Sequence, residues 1–570
     1  MKKIFAFVMA AIITAQMIFT AVPVYGINST EYMTYLNGKV NDYLKENESI
    51  PGLAMSVVDL RNGFSVSKGY GYRDRDKNQS VTGGTLFQTG EISGSITALA
   101  ALVLQKEEKI KLGDKASDYF ADLGLKSSPI DGGSFDDVTI RQLMEHASGI
   151  PDEYLPGYYS FDKMDLEAFN NLTANVTGSF MNYEPYKNVS RSNLAISLLG
   201  YLLASVKYPD QKAADGFIEL TNEILEKIGM ENSSFSITSD MKEKLSYTFD
   251  SQGEPTDKLA VASGMMPALS MWSSSDDMKN YLMFILNEGR FENERLLNFT
   301  DFDSMFRIDK DSIFDGEDRY YGLSWFVYTS PYGKMYRQLG DTGFHNSVIL
   351  VNPEQRIGIF LACNSSAGSN ILTLAQNIFE GLADRKTTYD EWWDQAHISV
   401  ANDYDEPGDY TGWYYGDTDA PIQVSLSGGI LYITDPVTGK LLAPDDNNRY
   451  VVDEYGNWYS IKFYEDQYYL LKNGYPSAMK MIRLKSSKFA DGFYGSWKSS
   501  SESMKYLGRT LTIEKDTGGL AMMNGRYLNF LSENSAYVYG FGRQGGINIT
   551  RGADETGEYI LYCGERFYKQ

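Results

Sequence analysis

The chain is poor in the side chains that build metal and disulfide frameworks. Its 570 residues contain two cysteines, Cys363 and Cys563, and three histidines. Such a composition excludes a cysteine-rich zinc framework. The two cysteines are far apart in sequence, so we expect no disulfide between them. We also expect no cofactor.

The sequence also lacks the motifs of several large enzyme classes. It contains no G-x-S-x-G nucleophile elbow, no H-E-x-x-H zinc motif and no phosphate-binding loop. A metal enzyme or a nucleotide enzyme therefore has little support. The net charge of −23 excludes nucleic acid as an expected partner, because phosphates would repel the protein.

Long apolar runs are confined to the N terminus. Lys2 and Lys3 precede an apolar run, residues 4–22, and small residues follow near Gly26. This pattern is typical of a secretory signal peptide over residues 1–26. No later segment is apolar enough to span a bilayer. We therefore expect an exported protein with no transmembrane segment after cleavage.

The next part of the chain, residues 27–385, has strand-like segments at both ends and helical patterns in the middle. Alternating or apolar runs predict strands over 54–60, 64–72, 347–352 and 357–363. Strands at the two ends have to meet in one sheet with helices packed around it. The prediction is a single α/β domain.

Aromatic density rises after this domain, where five of the seven tryptophans lie. We expect a linker over 386–404 and two β-rich modules over 405–486 and 487–570. Tyr410-Thr411-Gly412-Trp413 and Phe493-Tyr494-Gly495-Ser496-Trp497 resemble each other, which suggests a weak repeat. The aromatic residues are interpreted as the cores of small β structures.

Several segments are specific in combination. They are Pro51-Gly52-Leu53-Ala54, Lys68-Gly69-Tyr70-Gly71-Tyr72, Thr85-Leu86-Phe87, the stretch from Thr139 to Pro151 with its Glu-His-Ala-Ser-Gly core, and Gly340-Asp341-Thr342-Gly343. In this order they closely resemble the serine β-lactamase-related family, which includes class C β-lactamases, DD-peptidases, D-aminopeptidases and esterases. The resemblance covers about residues 30–380. It implies an α+β domain with an antiparallel sheet and a helical region, and the tail resembles all-β modules appended to some members.

The resemblance also implies a set of catalytic positions, and this chain departs from it. The family uses a Ser with a Lys one turn later, a Tyr-x-Asn motif, and a Lys or His before Thr-Gly or Ser-Gly. The matching positions here are Glu91 and Gly94, then Arg191 and Asn193, then Asp341, Thr342 and Gly343. A serine is a poor nucleophile without a neighbouring base, and here both are replaced. The family's acyl-transfer chemistry is therefore predicted to be lost.

The leading interpretation is a catalytically inactive pseudoenzyme that binds or regulates at the bacterial surface. Glu91, Arg191 and Asp341 are expected to face one another across the cleft as a charge cluster. Their net charge of −1 favours an amine over the carboxylate of a penicillin or a D-Ala-ended peptide. The ligand is otherwise unknown, and a cell-wall component fits the family.

Two alternatives stay open. A hydrolase would use Glu91 and Asp341 as acid and base, with backbone amides near Glu91 and Phe344 as an oxyanion hole. A metal held by Glu91, Asp341 and His345 is less favoured. The other alternative is a purely structural surface protein, in which the cleft would be immobile, fully occupied and without a ligand. His146 is interpreted as structural.

Overall fold

The structure is a computed structural model. It describes residues 29–383 except 77, 122, 129–131, 154–158, 162, 187–188, 190, 257–259 and 308–318, and from 411 to 570 it describes mainly strands and their turns. The predicted signal peptide, the predicted linker, His397 and Cys563 lie outside the described residues. No described helix is both long and apolar enough to cross a membrane.

The elements are numbered in chain order. The helices are α1 (Ser29–Glu46), α2 (Ser93–Lys106), α3 (Ile140–Met144), α4 (Leu166–Asn170), α5 (Leu172–Val176), α6 (Asn193–Lys207), α7 (Ala213–Lys227), α8 (Met266–Leu269), α9 (Ser275–Leu286), α10 (Phe299–Ser304) and α11 (Ile371–Leu382). The strands up to residue 383 are β1 (Gly52–Asp59), β2 (Phe64–Asp74), β3 (Gln79–Ser80), β4 (Leu86–Gln88), β5 (Tyr159–Phe161), β6 (Ala260–Ala262), β7 (Trp272–Ser274), β8 (Arg290–Phe291), β9 (Glu294–Arg295), β10 (Arg319–Tyr321), β11 (Phe326–Ser330), β12 (Gly333–Asp341), β13 (Asn346–Asn352) and β14 (Ile357–Cys363).

The central sheet confirms that strands from the two ends of the domain meet. Its order is β10-β11-β12-β13-β14-β1-β2-β3. The N-terminal β1 pairs antiparallel with β14, with Leu53 opposite Cys363 and Asp59 opposite Ile357. Both strands are buried along their whole length, as expected for the middle of a sheet covered on both faces. Cys363 is a free, buried thiol.

Helices cover both faces of the sheet. One face packs against α1 and α11, where Leu36, Val40 and Ile378 are buried. The helical region lies on the other face and is centred on α2, whose residues from Ser93 to Leu104 are all buried. A helix that is buried on every side belongs in the middle of its layer. This central helix sets the position of residue 91 just before its start.

The C-terminal strands form two further β structures. One sheet contains β15 (Gly412–Gly416), β16 (Ile422–Ser427), β17 (Ile430–Thr434), β18 (Leu441–Leu442), β19 (Tyr450–Val451), β20 (Trp458–Tyr464), β21 (Gln467–Lys472) and β22 (Tyr475–Met481). A closed barrel contains β23 (Gly495–Lys498), β24 (Thr510–Lys515), β25 (Ala521–Met523), β26 (Arg526–Ser532), β27 (Ser535–Val538), β28 (Ile547–Asp554), β29 (Gly557–Tyr562) and β30 (Glu565–Lys569). Trp497, Ile549 and Phe567 are fully buried in the barrel. The all-β character of the tail is as predicted, while the module boundaries stay predictions.

Candidate functional site

A small cavity lies where α2 and α6 meet the end of β12. Its volume is about 70 Å³, enough for several water molecules. The lining residues are Glu91, Gly94, His146, Arg191, Asn193, Ile196, Ala268, Tyr321, Ser324, Phe326, Arg337, Gln338 and Leu339. The cavity therefore brings together four of the positions predicted from the sequence: 91, 94, 191 and 193.

Two glycines press the start of α2 against β12. Gly90 has φ +57, and a Cβ there would lie 2.7 Å from the amide nitrogen of Asp341. A Cβ on Gly340 would lie 2.0 Å from the carbonyl oxygen of Thr89. These separations are too short for any side chain, so both positions require glycine. The close approach fixes the side chain of Glu91 at the edge of β12.

Both oxygens of the Glu91 carboxylate are bound. Oε1 lies 2.5 Å from Nη2 of Arg191, and Oε2 accepts a hydrogen bond of 2.7 Å from the amide of Asp341. Burial disfavours the charged form of Arg191, but the neighbouring Glu91 carboxylate outweighs this and raises the pKa of the guanidinium. Charge-assisted hydrogen bonds of this kind are strong. Glu91 therefore fills the position beside the backbone amide instead of leaving it open.

Asn193 connects the cavity to a second carboxyl group. Its side-chain nitrogen donates a hydrogen bond of 2.6 Å to Oε1 of Glu153. Oε2 of Glu153 is buried and makes no hydrogen bond with the described residues, which leave out 154–158. Burial, reinforced by the charges of Asp152 and Glu91, raises the pKa of the Glu153 carboxyl well above its usual value. Burial therefore sets the Glu153 carboxyl apart from an ordinary exposed glutamate, and it lies close enough to Glu91 to interact with it.

His146 lines the cavity, which differs from its interpretation as purely structural. Its Nδ1 accepts a hydrogen bond of 3.3 Å from the amide of Ser192, and its ring packs edge-on against Tyr321. Burial first, and then the charge of Arg191, lower the pKa of His146 to about 3. The imidazole is therefore neutral at physiological pH. Its place in the Glu-His-Ala-Ser-Gly segment was the signal in the sequence that could have placed it here.

Asp341 contacts Glu91 through its backbone amide, while its carboxylate accepts a hydrogen bond of 2.7 Å from the amide of Gly343. The carboxylate does not line the cavity, but it interacts electrostatically with both Glu91 and Arg191, so the three charges lie near one another. The Asp341 side chain is exposed, yet the surrounding protein atoms displace part of the water around its carboxyl group, and this desolvation raises its pKa. The negative charge of Glu91 raises the pKa further. Thr342 and Gly343 form the turn into β13: Thr342 Oγ1 accepts from the amide of His345 at 2.9 Å.

The residues of β12 that line the cavity lie further back along the strand. They are Arg337, Gln338 and Leu339, followed by Gly340, the glycine that contacts the loop before α2. Asp341, one residue beyond Gly340, is not among the residues that line the cavity.

Three further lining residues had no signature in the sequence. Ser324 is 1% exposed and has φ +60 in the turn between β10 and β11. Arg337 places its guanidinium carbon 4.5 Å from the ring centre of Phe326, an arrangement typical of a cation–π contact. These positions depend on pairing between strands, which a local pattern does not reveal.

His345 does not belong to the cavity. Its ring is buried between Phe87 and Trp272, at centroid distances of 5.8 and 5.6 Å. Burial lowers the pKa of His345 to about 3. Within the described part of the chain, no group of three His, Cys, Asp or Glu side chains fits a metal ion.

Comparison with known proteins gives a consistent family assignment. The family model described as Beta-lactamase matches residues 37–383. "Protein flp" of Staphylococcus aureus (strain N315) is 23% identical over 329 residues, 57% of this chain and 62% of that protein. "Beta-lactamase" of Pseudomonas fluorescens is 26% identical over 253 residues, 44% of this chain and 63% of the relative. The match thus spans less than two thirds of these relatives.

Solved structures show the same fold at low sequence identity. The D-alanine carboxypeptidase AmpC of Burkholderia cenocepacia has a TM-score of 0.51 and 20% identity, covering 62% of this chain and 100% of that one. A class C beta-lactamase has a TM-score of 0.52 and 19% identity, covering 64% of this chain and 99% of that one.

Proposed function

Because the chain belongs to the beta-lactamase family, we propose that it is an exported pseudoenzyme whose cleft binds a ligand at the bacterial surface. The observation that supports this most is the Glu91 carboxylate, held by Arg191 and by the amide of Asp341. A carboxylate bound by a guanidinium and a backbone amide is a poor nucleophile.

Neighbouring serines do not replace the missing nucleophile. The hydroxyl of Ser93 donates to the carbonyl of Gly90 at 2.6 Å and accepts from the amide of Met271 at 3.0 Å. The hydroxyl of Ser95 donates to the carbonyl of Ile92 at 2.7 Å. Both serines are buried within the packing of α2, and Gly94 supplies no base between them. Neither of these two serines therefore offers a free hydroxyl beside a base, which supports the loss of the family's acyl-enzyme route.

The charge of the cavity revises the expected ligand. The preference for an amine assumed that Asp341 lines the cleft, and its side chain does not. Glu91 and Arg191 neutralise each other, and Arg337 is a further cation in the wall. The extra positive charge of Arg337 in the cavity wall disfavours binding of a ligand through an ammonium group. We propose a cell-wall component bound through a small polar group that is not cationic.

Cosedimentation with insoluble peptidoglycan tests this proposal. Wild-type protein is expected in the pellet, and Gly94→Leu is expected to lower the bound fraction at least fivefold by filling the cavity. Gly38→Leu on the exposed face of α1 is the matched control, because no atom lies within 4 Å of its added Cβ. Equal binding by Gly94→Leu would assign the binding to another part of the chain, and no binding by the wild type would contradict the proposal.

A hydrolase is the second candidate, and Glu153 is the observation that favours it. Burial raises the pKa of the Glu153 carboxyl, and a buried carboxyl near a second one is an arrangement that acid–base enzymes use. Glu153 would then take the role first assigned to Asp341. Turnover of simple esters, amides or D-amino acid peptides that disappears in both Glu91→Ala and Glu153→Gln would favour this candidate over the binding protein.

A further inference from the structure

The turn between β10 and β11 contains a serine whose hydroxyl has no partner within the described part of the chain. Ser324 is 1% exposed, and its Oγ makes no hydrogen bond with any described atom. Its φ of +60 is a conformation that glycine adopts with less strain. A buried hydroxyl without a hydrogen bond is also unfavourable. Two unfavourable features at one cavity residue indicate a role toward a ligand.

The backbone holds Ser324 firmly beside the cavity. The amide of Ser324 donates a hydrogen bond of 2.8 Å to the carbonyl of Met144, at the end of α3. The preceding Gly322 donates to the carbonyl of Trp325 across the same turn at 2.8 Å. These backbone hydrogen bonds fix the position of the Ser324 Cα and Cβ, so the hydroxyl is held at the cavity wall.

The space in front of Ser324 is open because residue 94 has no side chain. A Cβ on Gly94 would lie 3.5 Å from Oγ of Ser324 and 3.6 Å from Cγ2 of Ile196. Ile196 and Ala268 complete this part of the lining. The subsite thus combines one unpartnered hydroxyl with small apolar surfaces and carries no charge of its own.

We propose that Ser324, Gly94, Ile196 and Ala268 form a subsite for an acetamido group of the ligand. The carbonyl oxygen of the group accepts a hydrogen bond from the Ser324 hydroxyl, and its methyl packs against Ile196 and Ala268. A group of roughly four heavy atoms suits a cavity of about 70 Å³. Burying a charged group against these uncharged walls is unfavourable. This assignment rests on the proposed function, since it names the ligand group of the same cleft.

Acetamide is the probe, and its binding to the full-length protein is followed by ligand-observed NMR titration. Ser324→Ala is expected to weaken acetamide binding about fivefold, the value of one hydrogen bond. Gly94→Ala is expected to weaken it at least as much, because the added methyl enters the subsite. Gly38→Ala is the control and should leave the affinity unchanged. Acetate, with the same shape and a negative charge, should bind at least fivefold more weakly than acetamide.

A fourth variant separates a ligand role from a structural role. Ser324→Gly should raise the Tm, because glycine relieves the left-handed backbone and removes the unpartnered hydroxyl, while acetamide binding falls as in Ser324→Ala. A lower Tm in Ser324→Gly together with unchanged affinity would make Ser324 a structural residue and overturn the proposal.

The remaining outcomes also decide the question. Acetate binding as tightly as acetamide would show that the cavity selects anions through its arginines, which overturns the subsite. Equal acetamide binding by wild type, Ser324→Ala and Gly94→Ala, or none by the wild type, would overturn it as well. Peptidoglycan cosedimentation that is still sensitive to Gly94→Leu would then leave the proposed function intact.

Discussion

Glu91 and Arg191 determine what the cleft does at the scale of single residues. Their side chains are 17% and 30% exposed, so each charge is largely removed from water and depends on the other. A buried ion pair is sensitive to the loss of one partner, because the remaining charge is left uncompensated. The pair therefore acts as a unit that holds the carboxylate against the amide of Asp341.

A double-mutant cycle tests this unit. Arg191→Gln is expected to lower the free energy of unfolding by about 2–4 kcal/mol, and Glu91→Gln added to it should recover about half of that loss. Urea denaturation measures both changes. The control is Lys212→Gln, which breaks the exposed pair with Glu167 and should leave the free energy of unfolding nearly unchanged. Additive effects of the Glu91 and Arg191 substitutions would contradict a coupled pair.

Local motifs predicted part of the site and missed the rest. The family resemblance placed Glu91, Gly94, Arg191 and Asn193, because the matching motifs are short segments near the starts of helices. Asp341 belongs to a matching motif yet does not line the cavity, because strand pairing and the close approach at Gly340 decide which residues of β12 face it. Ser324 carries no local pattern, since its importance depends on its backbone conformation and on the empty position 94.

At the scale of elements, contact between β12 and the loop before α2 builds the cavity. Hydrogen bonds from Ser347 Oγ to the carbonyl of Thr89, at 2.8 Å, and from Asp341 to Glu91 join the strand region to that loop. The approach is possible only because Gly90 and Gly340 have no side chains. A change at either glycine should separate the two elements and disturb Glu91.

Substitution of Gly340 by alanine tests this contact. The new Cβ would meet backbone oxygen of Thr89, which cannot move aside as a flexible side chain does. We expect a loss of about 1–3 kcal/mol in the free energy of unfolding, as for overpacking in a core. Gly38→Ala, in the open part of α1, should instead gain about 0.5–1 kcal/mol from helix propensity. A neutral Gly340→Ala would show that the two elements are not in tight contact.

The sheet of the first domain was predictable from local sequence patterns. Apolar runs at the two ends of the domain predicted strands, and burial required them to meet, as β1 and β14 do. Closure of the C-terminal barrel was not predictable. It depends on pairing between β23 and β30, where Trp497 lies opposite Lys569, and short alternating strands do not reveal such distant partners.

At the scale of the whole molecule, two buried neutral histidines make stability depend on pH. Burial lowers the pKa of His146 and of His345 to about 3, below the ordinary value of 6.5. The unfolded chain therefore binds protons between pH 6.5 and 3 that the folded chain does not. Their contribution to stability is complete above pH 6.5 and is lost as the pH falls toward 3.

His345→Phe tests this dependence, since phenylalanine suits the aromatic surroundings of Phe87 and Trp272. Each histidine contributes up to about 1.4 kcal/mol per pH unit in this window. The slope of unfolding free energy against pH, measured by urea denaturation between pH 4.5 and 6, should fall by about that amount in the variant. An unchanged slope would mean that His345 is protonated in the folded protein.

Intact-protein mass after incubation with a reactive β-lactam tests the central claim most directly, with loss of the β-lactam followed in the same tube. Because Glu91 and Gly94 replace the nucleophile and its base, we expect an unchanged mass and a persistent β-lactam. A stable adduct, or consumption of the β-lactam through a transient one, would show that another hydroxyl performs acyl transfer and would contradict the pseudoenzyme.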